Sequence, residues 1–497
     1  MTKSLLDIDK FGDVAAEDDA VLDYFLKTES VGKIENNETL LVLGRKGSGK
    51  TALVKYFSEK CKTRLSKALS LKGYPWNIHG LRIDHGASEI EAYVSSWRYL
   101  ISLEFSILAL SKARFVTSKS SKSIEAFLID NYGGTNPDLK DILKPSKLKL
   151  SKTSFEPQVL GNKIGSVSFD RAANDLGLGS ELSALSETLL DAAIKVAKEI
   201  PVRGLMLHFD ELDQGLSSLD NKRKAMITGI ILAAREVRNK CQSSGLFITP
   251  VVYLRTDIWD DLQFSDKNKL NQTASLRLDW DEKNLLALVN ERIKSKIGEF
   301  ATWDSITTPQ LMRGSQTKWN HILARTFLRP RDVISFLNAS LQQAKNRAKT
   351  NGITENLLFE NKDVVSARDR YSNYLKLELD DEIIPHWPHW AEALQACSDI
   401  GTVTFERAHF SRNYDQRKSR DNTITADEAL KSLHQFSVIA YERRSGYGGV
   451  AWSFTYQSPE SGWDSKSNQF KLHLGLKEFA KVREDRVSTN SGDDDMP

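Results

Sequence analysis

The residues best placed to do chemistry are Gly44-Arg45-Lys46-Gly47-Ser48-Gly49-Lys50-Thr51. They match the G-x-x-x-x-G-K-[ST] spacing in full. Glycines at that spacing let the backbone turn so that successive N–H groups converge on a phosphate. Lys50 then sets an ammonium between the β- and γ-phosphates, and the Thr51 hydroxyl is a ligand for Mg²⁺. The second chemical segment is His208-Phe209-Asp210-Glu211. Asp210 is placed to hold Mg²⁺, and Glu211 to orient and deprotonate a water that attacks the γ-phosphate. His208, inside an apolar run, reads as a core residue. The implied ligands are ATP and Mg²⁺.

Both segments need a scaffold. Thr39–Leu43 is a short apolar run ending at the glycine loop, as a buried parallel strand reads, and an amphipathic helix from Ala52 to about Leu69 is expected after it. Further strands are expected at Gly80–Asp84, Gly204–Phe209, Leu246–Leu254 and Ser275–Leu278. Strands alternating with helices predict a parallel α/β sheet, with the ligand at its C-terminal edge. Residues 88–200 read as mostly helical, and 112–152 carry nine Lys or Arg against four Asp or Glu. From Asp281 to about Asp380 the pattern is helical. From about 385 it becomes three helices (Trp390–Cys397, Phe405–Tyr414, Thr425–Phe436) and a hairpin, Tyr441–Tyr456, with Arg443 and Arg444 near its tip. Thr425 and Glu428 have the spacing of a capping box.

Composition sets the bounds. The chain has 497 residues, 27% of them charged, and a net charge of +3, too mild to imply nucleic-acid binding from the total. Three unpaired-looking cysteines argue against a disulfide scaffold or zinc site. The absence of an apolar leader or an 18-residue apolar run leads us to expect a soluble, cytoplasmic protein.

The order of these motifs, with a helical lid bearing Arg329-Pro330-Arg331-Asp332, resembles AAA+ ATPases, nearest the origin-recognition and STAND-like branch and a FunZ-like bacterial P-loop family. The matching segments include FGDVAAEDDAVLDYFLKTE, LLVLGRKGSGKTALVKYF, LMLHFDELD, YLRTDIWDDL and FLRPRDVISFLN. The resemblance implies an α/β fold: a parallel-sheet P-loop AAA+ core at 1–280 with a helical insert at about 101–200, a helical lid and linker at 281–384, a C-terminal winged helix at 385–482, and a disordered tail at 483–497. By position it places Thr256 as a sensor of the γ-phosphate, although Arg255-Thr256-Asp257 stands where initiators usually have an Asn. It places Arg331 as the lid arginine, and Phe11, Gly12 and Asp13 around the adenine. Phe264–Lys269, where a neighbouring subunit's arginine finger would lie, offers only lysines, which lack the bidentate fork.

The function so implied is an ATP-hydrolysing switch that controls an effector or a DNA-binding surface, with anti-phage defence as a setting by family analogy and homo-oligomers or protein partners as assemblies. The alternative is an initiator-like DNA-binding protein in which ATP locks conformation. Arg407, Arg412, Arg417, Lys418 and Arg420 precede the third C-terminal helix, where cations meet DNA phosphates in helix-turn-helix proteins. The basic insert is a rival contact surface.

Overall fold

The computed structural model describes residues 4–484, apart from 63, 73, 75–88, 114–117, 144–146, 150–157, 160–161, 164–165, 169–177, 214–219 and 445–449. The chain divides into two compact units, residues 20–279 and residues 1–19 with 280–497.

The first unit is built on the expected parallel sheet. Its elements are α1 (Glu29–Glu35), β1 (Leu41–Leu43), α2 (Lys50–Lys55), β2 (Leu65–Ser70), α3 (Glu89–Lys112), α4 (Lys119–Tyr132), α5 (Leu178–Glu199), β3 (Gly204–Asp210), α6 (Asn221–Cys241), β4 (Phe247–Leu254), α7 (Thr256–Asp261), α8 (Lys267–Thr273) and β5 (Ser275–Arg277). The five strands run parallel in the order β2-β3-β4-β1-β5. All seven residues of β3 are buried, as a strand covered on both faces requires. Its apolar run therefore carries Asp210 to the C-terminal edge of the sheet.

One expectation fails here. The helix after the glycine loop does not reach Leu69: α2 passes into a π-turn at Tyr56–Lys60, and Leu65–Ser70 is the edge strand β2. β2 pairs with β3 from Leu65↔Leu205 to Ser70↔Asp210. Lys67, Ala68 and Leu69 suit a helix locally, but pairing with the backbone groups of β3 overrides that weak preference. The strand expected at 80–84 lies outside the described residues.

The helical insert packs on the sheet's helical layer. α3 is buried along most of its length and lies against α6. Gly229 of α6 permits that approach, because a Cβ there would sit 2.6 Å from Tyr93 Cβ. Trp97 donates to the Met226 carbonyl at 3.0 Å. Glu104, 1% exposed, accepts from Lys67 of β2 at 2.7 Å. Two short antiparallel strand pairs, 147–149 with 166–168 and 158–159 with 162–163, also occur in the insert.

The second unit contains α9 (Glu282–Ile297), α10 (Lys318–Leu323), α11 (Pro330–Asn351), α12 (Asn361–Ser366) and α13 (Arg368–Ile383), the all-helical stretch expected. Pro330 stands in the first turn of α11, where its missing N–H costs no hydrogen bond. The N-terminal segment is tied to these helices. Leu5 N–H donates to Leu357 O at 2.8 Å, and Asn338 accepts from Phe11 N–H at 2.8 Å.

The remainder comprises α14 (Trp390–Ile400), β6 (Thr404–Glu406), α15 (Arg407–Arg417), α16 (Ala426–Gln435), β7 (Ile439–Arg444), β8 (Val450–Ser453) and β9 (Gln469–Leu472). Three helices thus stand with a four-stranded antiparallel sheet, ordered β6-β9-β7-β8. Thr425 and Glu428 form the capping box that opens α16. The hairpin β7–β8 is the expected one; β6 and β9 have too few residues to show a strand period in the sequence. The tip, 445–449, lies outside the described residues. No described helix is long and apolar enough to cross a membrane.

Candidate functional site

The loop between β1 and α2 has the conformation its glycines permit. Gly47 and Gly49 have φ of 81° and 101°, values that side-chain-bearing residues rarely adopt. A Cβ on Gly44 would overlap the Ser48 hydroxyl. The loop is held to the sheet by Gly44 N–H donating to Leu254 O at 3.2 Å. Arg45 and Lys46 occupy the turn between Gly44 and Gly47, and α2 begins at Lys50.

Lys50 folds over this loop. Its Nζ donates to Gly44 O at 2.9 Å and to Arg45 O at 3.2 Å. Burial pushes its pKa down, and Asp213 and Asp210 oppose that shift. Thr51 Oγ1 donates to Asp210 Oδ2 at 2.9 Å, joining the loop to the end of β3 across 159 positions of sequence. Asp210 Oδ1 accepts from the Glu211 N–H at 2.9 Å. Burial drives the Asp210 carboxyl up to about 6, against the opposing pull of Lys50.

A hydroxyl and a carboxylate at this distance are hard oxygen donors. They suit Mg²⁺, which takes one or two protein oxygens and completes its shell with water and phosphate.

Glu211 follows with φ of 62°, a left-handed conformation uncommon for a side-chain-bearing residue. The turn lifts its side chain off β3, and the Ser70 hydroxyl donates to Glu211 Oε2. Ser70 is the partner of Asp210 across the β2–β3 ladder. Beside them Arg255 grips Asp257 with two bonds, at 3.0 and 2.6 Å, and reaches Asp213 at 3.4 Å. Sequence reasoning missed Ser70 because its segment read as helix, and it passed over Arg255 in favour of its neighbour. Thr256 opens α7, half-buried, and has no hydrogen bond to the loop or the acidic pair among the described residues. His208 is the core residue expected: wholly buried, stacked on Phe57 and hydrogen-bonded to the Tyr253 hydroxyl at 3.0 Å.

The remaining predicted residues lie in the second unit. Phe11 is 2% exposed, with its ring 6.1 Å from that of Phe359. Gly12 has φ of 129°, and Arg292 packs where a Cβ would stand. Arg292 donates to Phe11 O at 2.6 Å and pairs with Asp19 at 3.0 Å. Arg331 donates to Val14 O at 3.1 Å and pairs with Glu378 at 3.1 Å. Its neighbour Arg329 is 2% exposed and bound by Asp332 and Glu382, a buried structural pair of carboxylates.

The basic residues of the C-terminal part divide in two. Arg417 is held by Asp399 at 2.7 and 2.9 Å, and Arg407 by Asp427 and the carbonyls of Ser465 and Ser467. Arg412, Arg420 and Arg443 are exposed and make no ion pair among the described residues. The side chains of Arg444, Lys144, Lys147 and Lys149 lie outside the described residues.

Comparison with known proteins gives three findings. An 80.3 kDa protein of transposon gamma-delta from Escherichia coli (strain K12) is 25% identical over 486 residues, covering 92% of this chain. The chain spans 64% of that relative's length. Two solved structures are similar at 10% identity. One is the Aeropyrum pernix Orc1 protein in complex with DNA, with a TM-score of 0.35, covering 91% of this chain and 90% of that one. The other is Cdc6p from Pyrobaculum aerophilum, with a TM-score of 0.29, covering 93% and 96%. Residues 283–380, spanning α9 to α13, match the family described as the FunZ-associated C-terminal helical domain.

Proposed function

We propose that this chain binds ATP with Mg²⁺ at the β1–α2 loop, hydrolyses it, and uses the nucleotide to set the conformation of a surface that meets DNA or a protein effector. The observation that carries the reading is the 2.9 Å bond from Thr51 to Asp210. It brings the phosphate loop and the acidic end of β3 to one point, with Lys50 and Glu211 flanking it. Loop N–H groups and the Lys50 ammonium bind the β- and γ-phosphates. Thr51 and Asp210 hold Mg²⁺, which neutralises the phosphate oxygens. Glu211 takes the proton from the attacking water, and Ser70 and the left-handed turn aim it. Thr256 is proposed as the sensor, and Arg331 and the Phe11-Gly12 segment keep the lid and adenine roles that the resemblance alone implies for them. The test is Glu211→Gln: it should retain ATP and release phosphate at least about 100-fold more slowly. Wild-type turnover would transfer the base role to Asp213.

A second reading, an initiator-like DNA-binding protein, is favoured by the unpaired Arg412, Arg420 and Arg443. We read α14, α15, α16 and the β7–β8 hairpin as a winged helix whose cations meet phosphates. Arg412→Glu with Arg443→Glu should then weaken duplex binding and lower its log–log salt slope by about one unit for each phosphate no longer neutralised. Equal binding by wild type and variant would assign the surface to a protein partner.

A further inference from the structure

The turn that carries Glu211 is held from two directions. Leu212, 1% exposed, sets it in the core, and Glu211 just before has the left-handed φ of 62°. A side-chain-bearing residue keeps that conformation only where its surroundings over-determine it. The Ser70 hydroxyl gives one tie, to the Glu211 carboxylate. Asp213, two residues on, gives another, because Arg255 Nη1 reaches its Oδ2 at 3.4 Å.

Arg255 is itself fixed. It is the N-cap residue of α7, and its side chain is 11% exposed. Its Nε and Nη2 donate to the two oxygens of Asp257, in the first turn of α7, at 3.0 and 2.6 Å. A guanidinium is planar, so two bonds to one carboxylate set its orientation, and with it the direction in which Nη1 meets Asp213. The end of β4 is thereby tied to the turn after β3. This brace stands within electrostatic reach of the phosphate loop, since Asp213, Arg255 and Asp257 all act on the charge of the buried Lys50.

We infer that Arg255 is a positioning residue for the hydrolytic step: through Asp213 it fixes the turn that aims Glu211, and it stays on its two carboxylates while the nucleotide is bound. The inference rests on the proposed hydrolysis at the phosphate loop and adds to it a residue that acts through another. Losing the fork frees Asp213, the turn relaxes, and the Glu211 carboxylate leaves the line of the attacking water. A displacement of about 1 Å there costs up to about 100-fold in rate, while the groups that bind the phosphates stay in place.

The test is a double-mutant cycle on the full-length protein with Arg255→Lys, which keeps the charge and loses the fork, and Asp213→Asn. Steady-state turnover with Mg²⁺ and ATP is measured beside ATP and ADP affinities by calorimetry. Each single variant should lower kcat about tenfold or more. Arg255→Lys should leave both affinities within about threefold of wild type, and the double variant should turn over no more slowly than the slower single one. If Asp213→Asn does not fold, Asp213→Glu takes its place in the cycle. An unchanged kcat in Arg255→Lys overturns the inference and makes the brace structural only. Additive losses overturn it too, as does an Arg255→Lys protein that loses its preference for ATP over ADP while Asp213→Asn keeps it, which would put the guanidinium on the γ-phosphate. A wild-type protein that binds ATP without releasing phosphate defeats the proposed hydrolysis, and this role of Arg255 falls with it. Wild-type turnover with an unaffected Arg255→Lys defeats this role alone.

Discussion

Replacing Lys50 by methionine separates the part it plays in the fold from the part it plays toward nucleotide. Lys50 Nζ makes two bonds to loop carbonyls, at 2.9 and 3.2 Å. Hydrogen bonds to a charged group contribute about 1.5–3 kcal/mol each, so their loss costs roughly 3–6 kcal/mol. Against this, the ammonium is buried, and burial already pushes its pKa down. The effective desolvation cost of a buried ion is several kcal/mol, and methionine, similar in length, does not carry it. The two terms offset, so the nucleotide-free variant should unfold within about 2 kcal/mol of wild type. Toward ATP there is no such offset. Removing one partner of a close buried charge pair costs about 2–5 kcal/mol, or roughly 30- to several-thousand-fold in affinity. Chemical denaturation in EDTA measures the first quantity, and isothermal calorimetry with Mg²⁺ and ATP the second. A variant that loses its fold yet, where folded, binds ATP with unchanged affinity would refute the reasoning and make Lys50 a structural residue of the loop.

Ser70→Ala removes the hydroxyl bonded to Glu211; losing about 1 kcal/mol of positioning should lower kcat about fivefold with KM unchanged, and Ser70→Thr should restore it. A change in KM alone would contradict the positioning role. Asp210→Asn keeps the bond from Thr51 but removes the anion. Steady-state assays should therefore require at least about tenfold more Mg²⁺, and an unchanged Mg²⁺ requirement would place the ion elsewhere. His321 has its pKa pushed down to about 3 by burial and by Arg325, Arg368 and Lys477, with Glu484 opposing. A depressed histidine contributes nothing adverse above its ordinary pKa and costs stability as pH falls below 6.5. With allowance for solvent screening, that cost is roughly 1 kcal/mol at pH 5. His321→Asn should flatten the acid limb of a stability–pH curve between pH 6.5 and 5, and an unchanged slope would show that the ring is hydrated in the folded protein.

The local part of the site was legible in the amino-acid sequence. Glycines at 44, 47 and 49, then Lys50 and Thr51, state their backbone requirement in their own types, and the apolar run into Asp210 states its strand. Parallel strands buried on both faces are visible as such, and so is a capping box such as Thr425 with Glu428. What needs a partner far along the chain was not legible. β2 is a strand because β3 pairs with it, so Ser70 could not be placed beside Glu211 until that pairing was known. The Thr51–Asp210 bond, the grip of Arg255 on Asp213 and Asp257, and the division of the C-terminal arginines into paired and unpaired depend on packing. Asp399 lies 18 positions from Arg417, and Asp213 lies 42 from Arg255. Residue type and spacing fix what a short segment can bind. Which carboxylate neutralises which cation depends on distances of a few ångströms between distant segments, and only the tertiary fold sets those.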